Sequence, residues 1–173
     1  MALASVGLVW YEVVYLMDTQ VVQLGRKCFD GRRAIANLLV EYFELLSHAL
    51  LFEFGLYPPE AFQPVKYCDV IVHKCVDKAV QLYIETSMRS IHRWVMYSKL
   101  RRYNVAICEG RLNLVVGGYL VEIGEALYTG AKRIDEFDEL AAELRGRLQK
   151  TLCDIELNQA EAYLLDNETS WCL

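Results

Sequence analysis

Three histidines, six cysteines and scattered acid pairs are the residues able to carry chemistry in this 173-residue chain. Cys68, His73 and Cys75 lie close enough in sequence to suggest metal ligands. A structural zinc takes four nitrogen or sulfur ligands, and no fourth lies nearby. Cys68 and Cys75 are also an odd number of residues apart in a run that reads as a strand, which points them to opposite faces. No metal and no cofactor is expected. None of Cys28, Cys68, Cys75, Cys108, Cys153 and Cys172 forms C-x-x-C. They sit in apolar runs, where a free thiol behaves as a small buried hydrophobe. That usage points to a reducing compartment without a disulfide framework. No Ser or Cys sits in a nucleophile elbow. Glu41 and Glu44 are three residues apart in a helical pattern, and a solvated stripe explains them. Gly110 and Gly117-Gly118 lack the following Lys-Ser or Lys-Thr and do not lead from strand to helix, so no phosphate loop is read. The chain is expected not to be an enzyme.

Apolar residues make up 54 % of the chain, which suits one domain with a real core rather than disorder. A net charge of −5 with mixed signs argues against direct binding of nucleic acid through phosphate contacts. The basic clusters Arg26-Lys27, Arg32-Arg33 and Lys99-Arg101-Arg102 read as solvated surface. No membrane contact is expected. The apolar run Ala2 to Met17 is short of a bilayer span and contains Glu12. No basic residue precedes it, against a secretory signal.

The element that must position any site is the stretch Ala34 to Phe62. Ile35, Leu38, Leu39, Tyr42, Phe43, Leu46, Ala49 and Leu50 recur at three- and four-residue spacing, a helix. Asn37, Glu41, Glu44 and His48 form one narrow polar stripe, so the helix must be covered on several sides. Pro58 and Pro59 stop it and leave Tyr57 and Phe62 at a rigid corner. Tyr67 to Val72 reads as a short strand. Asp77 is the expected N-cap of a second helix over about Lys78 to Leu100. Its seam is Val80, Ile84, Met88, Ile91 and Val95, flanked by Tyr83, Ser87 and Trp94. Tyr103 to Cys108 alternates with period two, Glu109-Gly110-Arg111 is a turn, and Leu112 to Ile123 returns as a strand with a bulge or bend at Gly117-Gly118. A third helix begins near Asp135. Acids load its first turns and Phe137, Leu140, Ala141, Leu144, Leu148, Leu152 and Ile155 form its stripe. Val9 to Leu16 has strand composition, and Thr169 to Leu173 has room for the start of one more strand.

The apolar helix ending at Tyr57-Pro58, then Phe62, then Lys66-Tyr67, resembles the opening of a HORMA domain. The order of later elements, with Tyr83-Ile84 early in the second helix, Glu122-Ile123 ending a hairpin and Cys153-Asp154 in the third helix, extends the resemblance over about Gly31 to Leu165. The polymerase zeta-associated, mitotic-arrest-deficient-2B-like branch is the nearest. The fold so implied is α+β: three helices packed on one face of a mainly antiparallel sheet. In that family a mobile C-terminal safety belt pins a partner peptide. Here that region is expected to be truncated. Residues 1–20 are expected to be an appended segment and residues 21–173 the HORMA-like domain, with a start at Met17 as the alternative to translation of residues 1–16.

The resemblance implies a non-catalytic adaptor that binds a peptide segment of the DNA polymerase zeta catalytic subunit, or of another repair or checkpoint protein, in translesion synthesis and DNA repair. It implies nuclear, and also cytoplasmic, localisation. Tyr83 and Trp94 are the expected partner-peptide residues, and Arg145 the candidate for a homo- or hetero-HORMA dimer surface. The alternatives are a belt-less homodimerising or regulatory fragment, and a spindle-checkpoint or meiotic relative.

Overall fold

The structure is a computed structural model. It describes residues 10–16, 31–67, 70–109, 114–129, 134–158 and 170–173. Helix α1, Gly31–Glu53, is the axis. Ile35, Leu39, Phe43, Leu46 and Leu50 are buried at the spacing its sequence predicts. The helix contacts α2 (Lys78–Met96), α4 (Ile134–Asn158) and strand β3 (Val70–Cys75). By length and composition α1 would suit a bilayer, yet 72 % of its most apolar window is buried inside the protein, so it serves as a core helix. Its polar stripe does not stay wet. Asn37 and Glu41 are exposed, Glu44 is half-buried, and His48 is only 1 % exposed.

Gly55, at φ +62°, ends the helix in the left-handed region that glycine enters without penalty. The amide of Leu56 donates back to the Leu51 carbonyl at 3.2 Å. A short 3-10 turn at Pro59–Ala61 then delivers the chain into β2, Phe62–Tyr67. β2 pairs antiparallel with β3 as a two-stranded sheet of its own. Two strands therefore stand where one was expected over Tyr67 to Val72. Pro64 hid the first of them: it donates no amide, and such a strand is tolerated at a sheet edge.

Asp77 caps α2 as expected, its carboxylate accepting from the amides of Ala79 at 2.9 Å and Val80 at 3.0 Å. Such a cap contributes about 1 kcal/mol. The helix stops at Met96, short of the expected Leu100. Ser98 adopts φ 54°, while the Ser98 amide donates to the Val95 carbonyl at 2.8 Å and the Lys99 amide to that of Trp94 at 2.7 Å. This is the Schellman closure, with serine at the place glycine usually takes.

The larger sheet has the spatial order β1 (Trp10–Leu16), β5 (Leu114–Ile123), β4 (Arg102–Glu109), β6 (Ser170–Cys172). β4 and β5 pair antiparallel, as the hairpin reading requires. β1 lies parallel on β5, and β6 antiparallel on β4. Tyr103, Val105, Ile107, Tyr119, Val121 and Ile123 are buried at period two and face the helices. α4 starts one residue before its expected Asp135 and buries Leu140, Leu144 and Leu148; a short helix α3, Ala126–Thr129, precedes it and was not expected. The Tyr119 hydroxyl bonds Thr151 Oγ1 at 2.7 Å, tying β5 to α4.

The register shifts where Ile107 faces Gly117 but Cys108 faces Val115. The extra residue is Val116, a bulge beside the glycine pair. The two glycines differ. A Cβ on Gly118 would lie 2.5 Å from the Val105 carbonyl oxygen and 3.2 Å from Ala106 Cα, whereas one on Gly117 would meet nothing within 4 Å. Gly118→Ala is expected to cost about 1–3 kcal/mol, because strand backbones must part. Gly117→Ala is expected to be neutral or slightly stabilising. Urea melts of the two variants check this, and equal losses would contradict the close approach.

Candidate functional site

The sheet ends in β6, a strand only three residues long. Its partners on β4 are Ala106, Ile107 and Cys108. Among the described residues, no strand pairs with Arg102 to Val105 on that side of β4. Edge backbone of this kind offers unsatisfied donors and acceptors to any extended chain.

Side chains from two other elements grip β6. Trp171 donates its indole N–H to the Tyr57 hydroxyl at 3.1 Å. Its ring meets that of Tyr83 edge-on, centroids 5.1 Å apart at 88°. The Leu173 amide donates to the Tyr83 hydroxyl at 3.4 Å. Tyr57 is held by the proline corner, and Tyr83 projects from the second turn of α2. The site is thus a backbone edge flanked by two phenols, one on a fixed turn and one on a rigid helix. Such a slot takes an extended segment by main-chain hydrogen bonds and selects an aromatic side chain by packing.

β4 is itself held firmly. Tyr103 stacks on Phe43 with centroids 4.2 Å apart. Its hydroxyl bonds Ser47 Oγ, which donates to the Phe43 carbonyl at 2.6 Å. Burial pushes the Tyr103 phenol well above its usual range, so it stays protonated. On the side away from the helices, Arg102 pairs with Glu122 at 2.8 Å.

The expected site residues fall into separate places. Tyr83 and Tyr57 meet through Trp171. Trp94 is 11 residues beyond Tyr83 on α2, about 16 Å along the helix, and lies outside this slot. Phe62 is buried and packs edge-on against Phe52 at 5.1 Å, so it anchors the corner from inside. Pro58 and Lys66 are exposed and Tyr67 is half-buried. Arg145 is exposed on α4, beside the Glu143–Arg147 ion pair. The link from Tyr57 to Trp171 spans 114 residues and was missed. The single hint was an aromatic residue within the last five of the chain.

Candidate catalytic groups are occupied otherwise. His48 Nδ1 accepts the Cys75 amide at 3.3 Å, His73 stacks on Phe52 with centroids 3.8 Å apart, and His92 bonds the Asn37 side chain at 3.0 Å. Burial pushes the Cys75 and Cys108 thiols up, away from the reactive thiolate. Among the described residues, no three His, Cys, Asp or Glu side chains are grouped to hold a metal ion. Cys68, the third member of the considered set, lies outside the described residues.

No family model matches the chain. A stretch of 78 residues is 30 % identical to the mitotic spindle checkpoint component mad2 of Schizosaccharomyces pombe, covering 43 % of this chain and 38 % of that protein. Another of 71 residues is 30 % identical to the mitotic spindle checkpoint component MAD2 of Saccharomyces cerevisiae, covering 41 % and 36 %. The chain thus matches less than two fifths of either relative's length. Among solved structures, a chain in a crystal structure of a mitotic checkpoint complex superposes with a TM-score of 0.65 at 20 % identity, over 79 % of this chain and 71 % of that one. At that identity the likeness is one of fold, and the fold is the α+β, HORMA-like arrangement of helices on a mainly antiparallel sheet.

Proposed function

We propose that the chain is a HORMA-domain adaptor, without catalytic activity, that captures an extended segment of a partner protein as an added strand. The observation that carries this is the sheet edge at β4 and β6, where Tyr57 and Tyr83 already grip the indole of an extended segment. Strand addition needs unpaired edge backbone with side chains beside it to hold the added segment. Among the described residues, Arg102 to Val105 has no strand on that side of β4, and Tyr57 and Tyr83 show how the adjoining extended segment is held.

The partner's identity is read from two sources that point differently. Both curated relatives are spindle checkpoint components. That favours a checkpoint partner in a mitotic assembly. The corner residues Tyr57, Pro58, Phe62, Lys66 and Tyr67 resemble the polymerase zeta-associated branch. That favours a segment of the polymerase catalytic subunit, a role in translesion synthesis and repair, and a nuclear location. A homodimerising or regulatory role, with Arg145 on the surface, is the remaining version.

Calorimetry with peptides from the organism's own checkpoint partners and from its polymerase zeta catalytic subunit separates the readings. Binding by one set in the micromolar range is expected. Tyr83→Ala should weaken it by about 2 kcal/mol, roughly 30-fold, as truncation of an aromatic hot spot does. No binding by either set, together with a stable dimer in light scattering, would reject the adaptor reading in favour of the homodimer.

A further inference from the structure

Between Glu85 and Glu109 the chain has no acidic residue, although its net charge is −5. Five cations fall in that interval: Arg89, Arg93, Lys99, Arg101 and Arg102. Three of them are neutralised locally, Arg89 by Glu85, Arg101 by Glu125 and Arg102 by Glu122. Arg93 and Lys99 are exposed and make no ion pair among the described residues. They flank the two most exposed aromatic residues among those described, Trp94 at 52 % and Tyr97 at 71 %.

The close of α2 puts these four side chains on one turn. The Tyr97 amide donates to the Arg93 carbonyl at 3.1 Å, and the Lys99 amide folds back to that of Trp94 at 2.7 Å. Their backbones are therefore fixed by the helix and its cap, so little ordering entropy opposes binding. Trp, Tyr and Arg are the residue types that dominate interface energetics when grouped. An exposed aromatic pair is otherwise a liability in water.

We propose that the last turn of α2 is a second docking surface, for an acidic segment of a partner protein bearing an aromatic or aliphatic anchor. The anchor packs between Trp94 and Tyr97, and flanking carboxylates pair with Arg93 and Lys99. Charge complementarity selects this occupant. Nucleic acid is disfavoured because two unpaired cations give a weak counterion-release drive in a chain of net negative charge. A bilayer is disfavoured because a single helical turn has too little apolar area to insert, and two cations are fewer than stable anchoring uses. The surface stands apart from the Tyr57–Tyr83 slot, so the two can be tested separately.

Selection of a displayed random-peptide library on the full chain tests this. The expected consensus is an aromatic or leucine anchor flanked by Asp and Glu. A labelled consensus peptide should lose at least 10-fold in affinity to Trp94→Ala and to the Arg93→Glu, Lys99→Glu double variant. It should keep its affinity for Tyr83→Ala, and weaken as salt rises. A charge-reversed peptide should bind the double variant and not the wild type. These side chains are exposed, so the variants should melt as the wild type does, and circular dichroism checks it. The proposal is overturned if no acidic consensus emerges, or if the consensus peptide binds both variants undiminished. It is equally overturned if the variants abolish instead self-association, binding of a labelled oligothymidylate, or binding of phosphatidylserine vesicles.

Discussion

Phe43→Ala is expected to destabilise the protein by about 3–5 kcal/mol, the range for a fully buried phenylalanine whose cavity cannot collapse. Collapse is resisted on every side. Phe43 has no exposed surface and lies at the middle of α1. Tyr42 meets it edge-on at 5.5 Å and Tyr103 stacks on it at 4.2 Å. The Tyr103 hydroxyl is tethered to Ser47 and to the Phe43 carbonyl, so the tyrosine cannot swing into the space without abandoning buried hydrogen bonds. For a chain of this size such a loss lowers Tm by roughly 10 °C or more. It should also reach the site, because Tyr103 holds β4, and β4 carries the edge that receives β6. Urea unfolding followed by far-UV circular dichroism measures the first effect, and peptide calorimetry the second. A loss below about 1 kcal/mol would mean that α1 is not the packing centre described here.

The parts of the fold legible in the sequence are those written by local chemistry. The spacing of apolar residues in α1, the Asp77 cap and the alternation in β4 each act within a few residues, and each appears where expected. By contrast, α1 ends at Glu53 through the left-handed Gly55 rather than at the expected Pro58-Pro59 stop. Two further misreadings have equally local causes. Pro64 made a real strand read as loop, and Ser98 closes α2 through a left-handed conformation that serine composition does not announce. The candidate site was only half legible. Tyr83 stood out from resemblance, but its companions come from 26 residues earlier and 88 residues later: Tyr57 and Trp171. Nothing local ties those positions, since strand addition is a non-local pairing. Trp94 was grouped with Tyr83 because both flank the seam of one helix. Sharing a face did not place them in one pocket, and helix rise keeps them apart.

The second large effect concerns pH and rests on His48. Its imidazole is buried where β3 crosses α1, and Nδ1 accepts the Cys75 amide. That bond puts the ring proton on Nε2 and leaves Nδ1 no room for another, since a second proton would face an N–H donor. Desolvation first, and the Lys74 ammonium second, lower the His48 pKa from its ordinary 6.5 to about 4, against the opposing pull of Glu44, itself paired to Lys74 at 2.6 Å. The sign follows from which state takes up the proton first. The unfolded chain protonates His48 near pH 6.5 and the folded chain only near pH 4. The stability His48 contributes is therefore present above pH 6.5 and lost as pH falls towards about 4. The full loss is about 3 kcal/mol, at roughly 1.4 kcal/mol per unit. The first contact to weaken should be β3 on α1, ahead of the β4–β6 edge. Urea midpoints from pH 7 to pH 4 check this, read beside those of His48→Gln, whose side chain can accept the same amide and takes up no proton. The wild type should lose about 3 kcal/mol more than the variant over that window. Parallel pH profiles would show that the ring is protonated in the folded state well above pH 4, and that water reaches the crossing of β3 and α1.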